Sequence, residues 1–287
     1  MGGVDDDLRA SLETLLDEPV ARLQPVRGGD VHRAFRVETR GRERWFAKHS
    51  PSAPRDLFEA EARGLHWLAT AGALRIPAVR ACGQGWLVLE WIEPGAPSPT
   101  FDVELGEGLA ALHRAGAPCI GLDHDNYIGT LPQANASIAN WPAFWRERRL
   151  LPQIDRAASR LPRELRAELE RLAQCLESLL PDEAPARLHG DLWAGNCIVA
   201  ANGKAVLVDP AVYGGAREVD LAMMELFGGF GPRVFEAYEA AWPTARTDRR
   251  LRRAIYQLYY LLVHVNLFGS GWIPALARTL RVATDRG

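Results

Sequence analysis

Two short apolar runs, Cys197-Ile198-Val199 and Ala205-Val206-Leu207-Val208, flank the pair Asn202-Gly203 late in the chain. Asn-Gly between such runs is the strongest short signal for a β-hairpin, because both residues tolerate the positive φ of a type I′ turn. If residues 202 and 203 form a two-residue loop, residue 201 faces 204, and each outward step keeps the pairing until Asn196 faces Asp209. Opposed residues of an antiparallel pair lie about 4.5–5.5 Å apart at Cα. An amide oxygen and a carboxylate are therefore expected to converge at the open end of this hairpin.

Such a pair suits a hard cation. Magnesium prefers oxygen ligands, keeps several waters and commonly takes one or two protein oxygens plus substrate phosphates, which makes Asn196 and Asp209 the candidate ligands for Mg2+. Asp191 stands before Asn196 in the segment His189-Gly190-Asp191-Leu192-Trp193-Ala194-Gly195-Asn196. That is the D-x-x-x-x-N spacing of a catalytic aspartate and a metal-binding asparagine in kinase loops, so Asp191 is the candidate proton acceptor. Singly, each of these residues serves more often as a turn or cap; the combination carries the reading.

The first third of the chain supplies what such a loop needs opposite it. Residues 5–17 have leucines at helical spacing. Residues 25–48 read as strand, glycine turn, strand, turn, strand, ending in Arg44-Trp45-Phe46-Ala47-Lys48, and residues 55–70 return to helical spacing. Lys48, one of only two lysines beside Lys204, ends the third strand, where an ammonium can hold the phosphates of ATP. Glu61 on the following helix is its expected partner, with Glu59 as the competitor on another helix face. Gly28 and Gly29 lie where backbone N–H groups could cover phosphates. After the strand 86–91, the main chain of Glu90, Trp91 and Ile92 is the expected adenine-binding hinge.

The breaker cluster at 93–99 marks a boundary. Beyond it helices are expected at 102–115, 141–158, 162–180, 218–227, 231–241 and 248–268, interrupted by the hairpin at 196–209. The fold class is α+β: a small β-rich N-terminal lobe over 1–92, binding ATP, and a larger, mainly helical catalytic and substrate-binding lobe over 93–287.

With 34 basic against 36 acidic residues, no overall field draws the chain to nucleic acid or an anionic membrane, and neither is an expected partner. Cys82, Cys119, Cys175 and Cys197 show neither metal-ligand spacing nor a disulfide framework, so a reducing cytoplasm is expected. The start of the chain has no signal-peptide or myristoylation pattern. The most apolar stretch, 254–268, is too short to cross a bilayer and reads as a core helix. A monomer is expected.

At LHGDLWAGN (188–196), DPAVYGGAREVDLAMMELFGGF (209–230), DHDNYIGTLPQ (123–133), FEAEARGL (58–65) and LYYLLVHVNLFGSG (258–271) the chain resembles the fructosamine kinase, or ketosamine-3-kinase, family. That family is a branch near the aminoglycoside phosphotransferases within the protein-kinase-like fold. The resemblance implies transfer of the ATP γ-phosphate to the 3-hydroxyl of ketosamines, meaning fructosamine or ribulosamine adducts of amines and of glycated proteins, with loss of the sugar and deglycation. It implies that Asp191 accepts the proton, that Asn196 and Asp209 hold magnesium, and that Lys48 and Glu61 hold phosphates. Trp193 would lie against the sugar. Asp220, with His189, would buttress the catalytic loop, and Arg217 and Glu218 would be substrate contacts or a structural pair. Some members carry a cysteine in the glycine turn; here Asp30-Val31-His32 follow it, and no thiol switch is expected there. The alternatives are a kinase of another small molecule, such as an aminoglycoside, and a nucleotide-binding pseudokinase. The presence of Lys48, Asp191, Asn196 and Asp209 together opposes the second.

Overall fold

The computed structural model describes residues 2–26, 32–83 and 85–285, with side chains from residue 6 onward. Its first part runs α1 (Gly2–Leu16), β1 (Val20–Val26), β2 (Arg33–Thr39), β3 (Arg44–His49), α2 (Leu57–Ala69), β4 (Val79–Gly83) and β5 (Trp86–Glu90). The strands form one antiparallel sheet in the order β1-β2-β3-β5-β4. The two-residue period of the strands sends Phe35, Val37, Trp86 and Val88 onto Leu8, Leu12 and Leu16 of α1. Leu87 and Leu89, one step out of phase along β5, meet Leu57, Phe58 and Leu65 of α2. Each fully buried leucine or phenylalanine contributes about 1.5–3 kcal/mol relative to exposure, so the sheet is held between two helices rather than by its own ladder alone.

The remainder comprises α3 (Phe101–Arg114), β6 (Asn126–Ile128), β7 (Leu131–Gln133), α4 (Trp141–Phe144), α5 (Leu151–Arg156), α6 (Arg163–Gln174), β8 (Ala186–Leu188), β9 (Cys197–Val199), β10 (Ala205–Leu207), β11 (Tyr213–Gly215), α7 (Glu218–Phe227), α8 (Pro232–Ala241), α9 (Arg249–Phe268) and α10 (Ile273–Thr284). Helix α9 is the axis of this part. Tyr256, Tyr259 and Tyr260 on it are buried against Trp141, Phe144 and Trp145 in one large core. A second core joins the two parts: Leu68 of α2 packs with Leu105 and Leu109 of α3 and with Leu207 and Val212 beside the hairpin. There the Leu207 N–H donates to the Arg75 carbonyl at 3.0 Å. Among the described residues no helix is long and apolar enough to cross a membrane.

Three sequence expectations change. The helix expected over 141–158 is interrupted by a π-helical turn at Trp145–Leu150. Pro152 has no N–H to give the Arg148 carbonyl, and the widened turn lets the buried Arg149 guanidinium donate to that carbonyl instead, at 3.0 Å. The helix expected over 162–180 ends at Gln174, followed by a short 3-10 turn. Periodicity does not mark β4, the short pairs β6–β7 and β8–β11, or α10; three-residue strands are too short to show a period.

The third change is the hairpin register. Ala205 faces Val199 and Leu207 faces Cys197, so Val208, whose N–H donates to the Asn196 carbonyl at 3.0 Å, stands opposite Asn196 in place of Asp209. The loop has three residues, Ala201 to Gly203. Only Gly203 takes a positive φ, of 76°, while Asn202 is absent from the positive-φ residues, which is the turn with a G1-type bulge rather than type I′. A Cβ on Gly203 would also lie 2.9 Å from the Ser98 backbone nitrogen. Gly203→Ala is expected to cost about 1–3 kcal/mol and Asn202→Ala under about 0.5 kcal/mol in urea unfolding. Equal losses at both positions would restore the two-residue loop.

Candidate active site

Lys48 on β3 reaches between the two parts of the chain. Its Nζ lies 2.8 Å from Glu61 Oε1 on α2 and 2.5 Å from Asp209 Oδ1 after the hairpin. Glu59, the competing partner, is exposed on α2. Burial alone would lower the pKa of the Lys48 ammonium, but the carboxylates of Asp209 and Glu61 outweigh it and hold the group charged, above the usual lysine range.

Asp209 adopts a left-handed backbone with φ 55°. Aspartate tolerates this conformation better than most residues, and the turn lets its carboxylate face Lys48 although its ladder position is spent. Asn196 closes the gap from the other side. Its Nδ2 donates to the Asp191 carbonyl at 2.8 Å, to Asp191 Oδ2 at 3.2 Å and to the Asp209 carbonyl at 3.3 Å. Asn196 and Asp209 are thus brought together by side chain and strand exit rather than by direct cross-strand pairing. Burial, and then the negative charge of Asp209, push the Asp191 carboxyl up to about 7.

These groups line one end of a cavity of about 680 Å³ that also takes in Trp193, Phe227, His264 and Phe268. Trp193 is 38% exposed, and its ring covers Gly195, where a Cβ would fall 2.2 Å from a ring carbon.

The loop that carries Asp191 is held from behind. Asp220, fully buried on α7, accepts the His189 N–H and the Gly190 N–H, both at 2.8 Å. Burial would raise its pKa, but the hydrogen bond and charge of His113, then His189 and the Gly190 N–H, keep it below the usual carboxylate range. His189 is lowered by burial and stays neutral. Its Nε2 donates to the Val208 carbonyl at 2.9 Å and its Nδ1 accepts the Asp191 N–H at 3.3 Å, which assigns the Nε2–H tautomer. Gly190 has φ 81°, and a Cβ there would lie 2.0 Å from the Ala211 carbonyl oxygen.

Several supports escaped the sequence reading. His113 on α3 joins Asp220 at 3.1 Å and the Tyr238 hydroxyl at 2.8 Å. Tyr260 on α9 donates its hydroxyl to the Gly190 carbonyl at 2.7 Å. Asn126 Nδ2 donates to the Val212 carbonyl at 2.8 Å, and Gln133, itself bonded to the Tyr259 hydroxyl, donates to the Ala211 carbonyl at 3.2 Å. The polar residues of the 123–133 segment therefore hold the backbone after Asp209. Nothing in local spacing links His113 to Asp220; the one available signal was a histidine on the apolar face of a helix, which is more often plain core.

Arg217 and Glu218 do not line the cavity. Arg217 donates to the Trp242 carbonyl at 2.7 Å and the Pro243 carbonyl at 2.6 Å, with its guanidinium over the Trp242 ring. Glu218 takes a two-pronged contact from Arg252, at 2.5 and 3.0 Å. They are buried anchors of α7, each with its own partner, which fits the structural alternative rather than substrate contact. Gly28 and Gly29 lie outside the described residues. Glu90 ends β5 and pairs with Arg75 at 2.5 Å, Trp91 stacks with the Arg36 guanidinium, and Ile92 packs on Ala200 and Val206. The Ile92 N–H makes no hydrogen bond among the described residues.

Replacing Asp220 by Asn would set an NH2 group against a backbone N–H at a fully buried position. Asp220→Asn is expected to lower stability by about 2–4 kcal/mol in urea unfolding; an unchanged midpoint would show that the loop does not depend on this carboxylate.

The family model for fructosamine kinase matches residues 6–285. A Thermus thermophilus protein named as a probable ketoamine kinase is 42% identical over 257 residues, which span 89% of this chain and 92% of the relative. The crystal structure of a fructosamine-3-kinase candidate from Thermobifida fusca superposes with a TM-score of 0.89 at 38% identity, covering 97% of this chain and 98% of that one. A macrolide 2′-phosphotransferase type I shares the fold alone, with a TM-score of 0.67 at 15% identity over 100% of this chain and 99% of its own. With the two-lobed kinase-like architecture, the buried lysine bridge and a family match from one end of the described chain to the other, the chain belongs to the fructosamine kinase family.

Proposed function

We propose that this protein transfers the γ-phosphoryl group of ATP to the 3-hydroxyl of the sugar moiety of ketosamines. The observation that carries the reading is the single cavity into which Lys48, Asp191, Asn196 and Asp209 all face. The acceptor hydroxyl gives its proton to Asp191 as its oxygen bonds to the γ-phosphorus, and the bond from that phosphorus to the bridging oxygen breaks, leaving ADP. Lys48, kept charged by its two carboxylates, holds phosphates of the nucleotide. The main chain of Glu90 to Ile92 meets the adenine, and the unengaged Ile92 N–H supports that role. Gly28 and Gly29 cover the phosphates.

Asn196 and Asp209 form the site for Mg2+. The donor set fits: one neutral amide oxygen, left available because Nδ2 makes the described hydrogen bonds, and one carboxylate, both hard oxygen donors. When bound, the ion neutralises charge on the phosphates. Positioning and charge compensation account for most of what phosphoryl transfer asks of a protein. Trp193 offers a ring face to the sugar beside Asp191.

The 3-phosphorylated product is unstable and sheds its sugar, so the physiological role is deglycation of amines and of glycated protein side chains. The protein acts as a monomer in the cytoplasm, where its four unpaired cysteines stay reduced.

Incubation with ATP, Mg2+ and morpholine fructosamine or ribulosamine is expected to release ADP and yield a sugar 3-phosphate by 31P and 13C NMR. Kanamycin in its place is expected to yield none. Asp191→Asn is expected to lower kcat by about 10²–10⁴-fold while ADP binding, followed by calorimetry, persists. Turnover of kanamycin but of no ketosamine would overturn the reading.

A further inference from the structure

The cavity has two chemically distinct ends. Among the described residues, every carboxylate that lines it, Glu61, Asp191 and Asp209, is at the Lys48 end, and Lys48 is the only lysine or arginine in the lining. The other end is built from rings. Phe227 closes α7, His264 and Phe268 stand one turn apart on α9, and Trp272 follows on the 3-10 turn after it. His264 is the hub, with its ring centroid 4.7 Å from Phe227, 4.6 Å from Trp272 and 5.3 Å from Phe268. Its Nδ1–H donates to the Tyr260 carbonyl at 2.8 Å, which fixes the ring on the helix that also holds the catalytic loop through the Tyr260 hydroxyl.

Two large apolar side chains are exposed among the described residues, Trp193 at 38% and Phe268 at 49%, and both line this cavity. The ring cluster is continuous with the catalytic loop. At Gly229, just past Phe227, a Cβ would lie 2.5 Å from the Ala194 Cβ, so no gap separates the shelf from the residues that follow Asp191. Exposed aromatic surface at the mouth of a site, joined to its reacting end, marks where the rest of a substrate lies.

We propose that this outer end is a subsite for the amine substituent of the acceptor, and that Phe268 and Trp272 make it selective for aromatic substituents. The inference rests on the ketosamine kinase reading. With the sugar hydroxyl at Asp191, the amine substituent points away from the phosphates toward the rings. Among the described residues no carboxylate, lysine or arginine there can pair with a charged substituent, and a charged group would lose water without gaining a partner. A flat apolar ring instead meets ring faces and edges on Phe268 and Trp272, and the protonated secondary amine beside it gains a cation–π contact from the same cluster.

The test compares kcat/KM for the fructosamines of benzylamine and of methylamine. The wild type is expected to favour the benzylamine adduct by about tenfold. Phe268→Ala is expected to reduce that ratio by at least about threefold, Trp272→Ala likewise, and Phe268→Tyr to restore it. Phe268 is exposed, so its alanine variant keeps the fold, and circular dichroism checks this for both alanine variants. A wild-type ratio near one, or a ratio that Phe268→Ala leaves in place, overturns the subsite. Absence of turnover with either adduct and with morpholine fructosamine would overturn the ketosamine reading itself, and the subsite with it.

Discussion

An ammonium lodged between two carboxylates from different parts of the chain is the interaction on which the site depends. Lys48 comes from the sheet, Glu61 from the helix behind it, and Asp209 from the strand exit of the other lobe. Removing three charged groups from water is costly, and the mutual attraction offsets that cost only when geometry is good. A hydrophobic replacement of the same volume could hold the lobes together as well. What it could not do is leave a permanent positive charge at the end of the cleft, facing the carboxylates that line it. The ion triad is better understood as a positioned charge than as a source of stability.

Behind this charged face the structure is polar but closed. Asp220 takes two backbone N–H groups from the catalytic loop and a third contact from His113, while Tyr260 takes the remaining carbonyl of Gly190. Asn126 and Gln133 perform the same service for the segment after Asp209. Each of these groups is buried and satisfied, which confers rigidity that an apolar core would not: the loop can shift only by breaking several hydrogen bonds at once. The Asp191 carboxylate therefore sits on a backbone whose shape is set partly by residues outside the cavity, Asp220, His113 and Gln133, and partly by two that also line it, Tyr260 and Asn126.

The visible half of this arrangement was legible in the sequence, and the hidden half was not. Helical leucines and alternating strands identified four strands of the sheet, without β4, its two helices and the long α9, because burial on one face leaves a period. Lys48 stood out as one of two lysines, at the end of a strand, and Asp191 and Asp209 by their spacing around Asn196 and the hairpin. Counting the hairpin failed by one residue, since Asn-Gly signals a tight turn without distinguishing a two-residue loop from a three-residue loop with a left-handed glycine. The resemblance left Arg217 and Glu218 as substrate contacts or a structural pair, and their partners, Trp242, Pro243 and Arg252, lie far along the chain. His113 and Tyr260 were invisible for the same reason. Long-range polar pairing has no period, and only the folded chain reveals it. The π-turn at 145–150 shows a third kind of gap, because Pro152 signals a break without saying whether the helix will stop or widen.

Gly190 separates the shape of the loop from its chemistry. Its left-handed backbone and the Ala211 carbonyl pressed against it exclude every side chain, whatever Asp191 beside it is doing. A descendant of this fold that had lost its reaction would still need the glycine in order to fold, and the histidine before it to meet Val208. The His-Gly pair therefore answers to architecture, and a sequence carrying it testifies to a loop of this form and not to its chemistry. On the proposed function, whether such a loop works depends instead on two residues that line the cavity, Asp191 after the glycine and Asn196, which bonds to it.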